Sequence, residues 1–152
     1  MFNALDIPIY FYLITFGIGL IIGFLRKDWV IGAIAAYLFF VFVETVLIRK
    51  AGVSADFRPE LFWSWKVPDL RAQIYSNVLM FVPFGMLIGL KISWKSIPAA
   101  AGCSLIVEMI QLLSHRGVFE FDDVIHNTIG AVIGFLILVA IKKLTIGLVR
   151  KS

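Results

Sequence analysis

Five apolar stretches, each near the length that crosses a bilayer, alternate along the chain with short polar segments. The first runs from Ile7 to Leu25 and ends at Arg26-Lys27-Asp28. The second covers about Trp29 to Ile48 and stops at Arg49-Lys50. The third spans about Gln73 to Leu90, the fourth Ile97 to Leu113, and the fifth Asp123 to Ile141, after which Lys142-Lys143 opens a basic tail. About 20 apolar residues suffice for one membrane helix. The pattern therefore predicts an all-α polytopic transmembrane bundle of about five helices, forming one domain over residues 1–152. A cleaved leader is not expected, because the first stretch carries its positive charge after the apolar core and lacks a small-residue cleavage site.

The longest polar segment, Arg49 to Arg71, contains Pro59 and Pro68 and is expected not to form a continuous helix. Its Leu61-Phe62-Trp63-Ser64-Trp65 patch fits a loop at headgroup level, where tryptophan is favoured. Pro83 and Gly85 inside the third stretch predict a kink beside Asn77.

Composition agrees with the pattern. The 152 residues are 61% hydrophobic and 16% charged, against about 45–50% and about 25% in soluble domains. Such an excess cannot be hidden in one small core, which excludes a disordered chain, a disulfide scaffold and an ordinary cytosolic enzyme. Cys103 is the only cysteine, so there is no internal disulfide and no thiolate metal cage. The net charge of +4 reflects Lys and Arg at helix ends and does not point to nucleic acid; the expected partner is the lipid bilayer. With the N-terminus outside, the inner segments hold eight Lys/Arg and the outer segments six. This favours N-out, C-in, since several outer cations also have acidic neighbours.

Polar residues inside membrane helices cost free energy, so they mark where chemistry gathers. Glu44 lies roughly 7 Å below Arg49, Asn77 roughly 9 Å below Arg71, Glu108 roughly 9 Å below Ser114, and Asn127 roughly 7 Å below Asp122, at 1.5 Å per residue. Four helices thus each contribute a polar group at similar depth. The layer is expected to be enclosed by the second to fifth helices, with the first outside it. Glu108 and Gln111 are three apart and Asp123 and Asn127 four apart, so each pair shares a helix face. Asn127, Gly130 and Gly134 form one stripe that allows close helix packing, and Gly19 and Gly23 offer the same device.

Candidate roles follow from residue type. Glu108 and Asp123 are the candidate general bases, while Arg71, Asn77, Gln111, Arg116, Asp122, Asn127 and Glu44 are the candidate ligand-binding groups. A plainer role stands beside each: interhelical hydrogen bonds for the amides and Glu108, helix capping for Asp122 and Asp123, interface anchoring for the arginines. No HxxxH or HExxH spacing occurs, so neither a metal nor another cofactor is expected.

The run Asn77-Val78-Leu79-Met80-Phe81-Val82-Pro83-Phe84-Gly85, then Glu108-Met109-Ile110-Gln111, then Arg116 and Asp123 through Asn127 to Gly130, resembles the VanZ-like family, whose pattern is N…F-x-P-x-G, E-x-x-Q and R…D-x-x-x-N-x-x-G. The resemblance covers about residues 71–135. It implies a multi-pass protein of the bacterial plasma membrane connected with the cell envelope and with glycopeptide (teicoplanin) resistance. A lipid-linked cell-wall precursor or an anionic lipid headgroup is the expected ligand of the polar layer. Two readings of the biochemistry stay open: a membrane hydrolase or transferase acting on such a molecule, or a non-catalytic binding or helix-interaction protein. Transport is the weaker third, since no inverted repeat is visible.

Overall fold

The computed structural model describes residues 9–50, 52 and 56–149. Among them are five α-helices: α1 (Ile9–Arg26), α2 (Trp29–Phe42), α3 (Arg71–Ile92), α4 (Ser96–Leu113) and α5 (Phe121–Val149). Four stretches are long and apolar enough to cross a membrane: Ile9–Arg26, Trp29–Leu47, Pro68–Leu113 and Phe121–Ile146. The third has 46 residues, more than twice the length that spans the roughly 30 Å hydrocarbon core. It is interrupted at Ser93, whose φ is +54°, by the 3-10 turn Ser93–Lys95, and so contains both α3 and α4. Short strands Phe57–Arg58 (β1) and Phe119–Glu120 (β2) are the only sheet among the described residues. The protein is thus an all-α, multi-pass membrane protein.

Two compact units make up the chain: Met1–Arg58 with Val107–Phe119, and Pro59–Ile106 with Glu120–Ser152. In unit 1, α1 and α2 are joined by two residues. Lys27 takes a left-handed φ of +51°; its N–H bonds the Phe24 carbonyl and that of Asp28 the Gly23 carbonyl. This is the Schellman ending of a helix, with lysine where glycine is usual. Asp28 then caps α2, its carboxylate accepting from the Val30 and Ile31 amides at 3.1 and 3.3 Å. Small residues bring the two helices close: a Cβ on Gly32 would collide with the Gly19 carbonyl and lie 2.8 Å from the Gly23 Cα. The pairing expected from Gly19 and Gly23 is therefore real, and Gly32 completes it.

The second stretch departs from a plain α-helix. After Phe42 the chain makes a π turn over Val43–Leu47, containing Glu44; nothing in the hydrophobic period marks it. The same unit holds the C-terminal turns of α4, which end in a second Schellman motif. His115 has φ +53°, and the Arg116 and His115 amides bond the Gln111 and Leu112 carbonyls.

In unit 2, α3 and α5 run parallel and pack backbone to backbone. A Cβ on Gly130 would strike the Val78 carbonyl, one on Gly134 the Val82 carbonyl, and one on Gly85 the Ala131 carbonyl. The stripe read from the sequence is thus the face that α3 requires, and Gly85 answers it from the other helix. Phe81 and Phe84 are the largest apolar side chains buried there, their rings edge to face at 5.5 Å. The α3 helix continues through Pro83, whose side is exposed.

The fifth helix is longer than its apolar stretch. It continues through Lys142-Lys143 to Val149, because lysine is a good helix former and no proline or capping signal intervenes before that point. The first part of the basic tail is therefore helical. The polar segment between Arg49 and Arg71 forms no continuous helix, as its prolines predict. It contains β1 and the 3-10 turns Ser64–Lys66 and Pro68–Leu70.

Candidate functional site

The candidate residues fall into one set in each unit. In unit 1 the last carbonyls of the second stretch have no acceptor role within the helix, and side chains from the end of α4 use them. Gln111 Nε2 donates to the Thr45 carbonyl at 3.0 Å. The Arg116 guanidinium donates to the Leu47 and Arg49 carbonyls at 2.9 and 2.8 Å. Arg116 thus sits where a cation complements the C-terminal end of a helix. Glu44 is half-buried in the π turn. Glu108, one turn before Gln111, is 2% exposed, and Gln111 Oε1 is buried without a partner.

In unit 2 the polar set gathers at the first turns of α5. Asp122 is fully buried and reaches the loop before α3: its carboxylate accepts from the backbone amides of Phe62 and Ser64 and from the Ser64 hydroxyl, the last at 2.6 Å. Capping was the plain expectation for Asp122. What it caps is the distant Ser64–Lys66 turn. The loop is fixed a second time by Trp65, whose indole Nε1 donates to His126 Nε2 at 2.6 Å.

That second bond determines the histidine's proton. Indole N–H can only donate, so His126 Nε2 must be the bare nitrogen, and a neutral imidazole carries its hydrogen on Nδ1. Nδ1 lies 3.9 Å from Asp123 Oδ1, beyond hydrogen-bond reach, and is buried without a partner. Asp123 accepts from Gln73 Nε2 at 3.3 Å, and the same amide lies 3.4 Å from Glu120. Asn127, one turn on, donates from Nδ2 to the Ser104 hydroxyl at 2.8 Å, while its Oδ1 has no partner. On α3, Asn77 is buried and its Nδ2 is likewise unmatched. Arg71, the first residue of α3, is exposed.

Unit 2 therefore brings Asp122, Asp123 and Asn127 onto one helix end, with Asn77 on the helix packed against it. Glu44, Glu108, Gln111 and Arg116 belong to unit 1. The sequence reading did not place Ser64, Trp65, Gln73, Ser104 or Glu120 among the candidates, and it counted His126 only as one of the few polar residues inside the helices, without a role. Two of these carried a local signal: Gln73 is four residues before Asn77, and His126 three after Asp123, each on the same face as a candidate. No group of three or more His, Cys, Asp or Glu among the described residues is arranged to hold a metal ion.

The VanZ/LLP1 family model matches residues 9–142. The chain belongs to that family. The match extends the resemblance from the motif-bearing part to α1 and α2, so the Gly19–Gly32 pair lies within the family region as well as the α5 cluster. No curated protein and no solved structure matches the chain.

Proposed function

We propose that this VanZ/LLP1 protein resides in the bacterial plasma membrane and binds an anionic, lipid-linked molecule of the cell envelope, conferring tolerance to glycopeptides of the teicoplanin type. The observation that carries the reading is a set of buried polar atoms without partners at the start of α5 and beside it: His126 Nδ1, Asn127 Oδ1 and Asn77 Nδ2. More than nine in ten buried polar groups are hydrogen-bonded in folded proteins. Three unmatched in one helix pair are capacity that a ligand would use. Arg71 supports an anionic component. It stands at the N-terminus of α3, where the helix dipole disfavours a cation. In this reading the loops flanking α3 and α5 at their N-terminal ends face outward, and the basic end of α5 faces the cytoplasm. An impermeant maleimide should then label Ser114→Cys in intact cells carrying Cys103→Ser.

A second reading keeps the same cluster but adds catalysis. Asp123 is buried, is held by Gln73 and lies beside His126 Nδ1, the imidazole nitrogen that carries the hydrogen. It is the group in the cluster with acceptor capacity for an incoming proton, with Glu108 as the corresponding carboxylate of unit 1. Envelope lipids compared with and without Asp123→Asn and Glu108→Gln separate the readings, since only an enzyme leaves a substrate that accumulates.

The binding reading is tested with Arg71→Ala and Asp123→Asn, scoring folded yield in detergent beside teicoplanin susceptibility. Normal yield with lost tolerance is expected. Loss of both in proportion would mean that the cluster only holds the fold.

A further inference from the structure

The unmatched atoms at the start of α5 differ in kind, and their kinds restrict what can enter. His126 Nδ1 and Asn77 Nδ2 offer hydrogens; Asn127 Oδ1 and the remaining lone pairs of Asp123 demand them. The residues involved are at least nine-tenths buried, His126 at 1% exposure and Asn77 at 8%. Nδ1 of His126 is directed toward the Asp123 carboxylate by the bond that Trp65 makes to the opposite side of the ring. Among the described residues neither Asp122 nor Asp123 is paired with a lysine or arginine. Their partners are amides, a hydroxyl and an imidazole.

A phosphate would fit this set poorly. It has acceptors only at its ionised oxygens, so it could use His126 and Asn77 but would oppose Asp123 and leave Asn127 unmatched. A hydroxyl both donates and accepts. Two or three neighbouring hydroxyls would satisfy the donors and the acceptors together. The Trp65 indole lies nearly parallel to the His126 ring, at 16°, and remains 57% exposed, which leaves apolar aromatic surface beside the cluster for the C–H face of a ring or chain.

We infer that the moiety entering the α5 cluster is an uncharged polyol, a sugar or a glycerol headgroup, and that any phosphate of the same lipid stays outside at Arg71. This rests on the lipid-binding reading above and specifies which part of the lipid is recognised, and by which residues. Asn77 on α3 and Asn127 on α5 are the specificity-determining pair. Val78, next to Asn77, packs on Gly130, three residues beyond Asn127, so the two residues stand within a turn of each other in height along the parallel helices.

The test uses the full chain in phosphatidylcholine nanodiscs doped with diglucosyl-diacylglycerol, phosphatidylglycerol or phosphatidic acid, reading lipid retention by native mass spectrometry and the thermal midpoint. The expected result is retention of a polyol lipid over phosphatidic acid. Asn77→Leu should weaken it by at least about tenfold, the equivalent of one well-made hydrogen bond, while the lipid-free protein melts no lower than wild type. Retention of diglucosyl-diacylglycerol alone identifies a sugar. Retention of phosphatidylglycerol as well identifies the glycerol unit common to small polyols. Preference for phosphatidic acid, or polyol retention undiminished in Asn77→Leu, overturns the inference but leaves lipid binding standing. Retention of none of the three overturns the lipid-binding reading itself.

Discussion

The α1–α2 pair and the α3–α5 pair are assembled by the same device and put to different uses. In each, glycines let one backbone touch another: Gly32 against Gly19 and Gly23 in the first, Gly130, Gly134 and Gly85 against Val78, Val82 and Ala131 in the second. In a bilayer this close approach substitutes for the hydrophobic driving force that water would provide. The α1–α2 pair stops there. Its helices contain no buried ionisable side chain among the described residues, α1 is exposed over most of its length, and the Asp28 carboxylate caps α2 at the turn. The α3–α5 pair carries the same packing over its middle and then, over the first two turns of α5, buries Asp122, Asp123, His126 and Asn127. Packing alone does not need those residues, as the first pair demonstrates. The polar turns of α5 are an addition to a helix pair that glycine contacts already hold.

The largest expected effect breaks that packing. Gly130→Leu and Gly134→Leu would each drive a side chain into a backbone carbonyl that cannot rotate away. They should exceed the ~1–3 kcal/mol of ordinary overpacking and abolish monodisperse protein on fluorescence-detected gel filtration. Gly17→Ala, with nothing within 4 Å of the new methyl, should be silent. Gly32→Leu sharpens the contrast: it should lower the melting temperature by separating α1 from α2 while leaving lipid retention by the α5 cluster intact.

Within the cluster, the residues that are fully bonded should behave as structure. Asp122→Ala strands the Phe62 and Ser64 amides and should cost about 1–3 kcal/mol, with faster proteolysis of the Phe62–Lys66 loop. Ser104→Ala removes one interhelical hydrogen bond from Asn127, for which roughly 0.6 kcal/mol is typical in a membrane, readable as a small drop in thermal midpoint. A change of opposite sign is expected at the end of α4. His115 occupies a left-handed position that favours glycine, so His115→Gly should raise stability by up to about 1 kcal/mol.

Features carried by one helix were legible in the sequence. Length and period placed the five helices, Gly130 and Gly134 declared the packing face, and the prolines at 59 and 68 excluded a continuous helix between Arg49 and Arg71. What escaped depends on residues distant along the chain. Ser64 and Asp122 are 58 apart and Trp65 and His126 are 61 apart, and no helical spacing announces such a pair. Tryptophan near a membrane surface reads as an interface anchor, so its role in fixing the His126 tautomer had no local signature. The π turn at Glu44 was invisible for a different reason. One extra residue in a turn leaves an apolar run apolar, and only the geometry records that Gln111 and Arg116 reach the carbonyls at its end.

The measurement closest to the central claim is the melting temperature of Asn77→Leu in detergent, without added lipid, beside wild type. If the α5 cluster is a binding site with unfilled capacity, Asn77 Nδ2 is a buried donor with nothing to bond. An apolar side chain of similar size should then leave the protein as stable or more stable. A fall in melting temperature as large as that of Asp122→Ala would contradict the account, because it would mean that Asn77 already bonds within the fold and that the polar turns of α5 are there to hold it together.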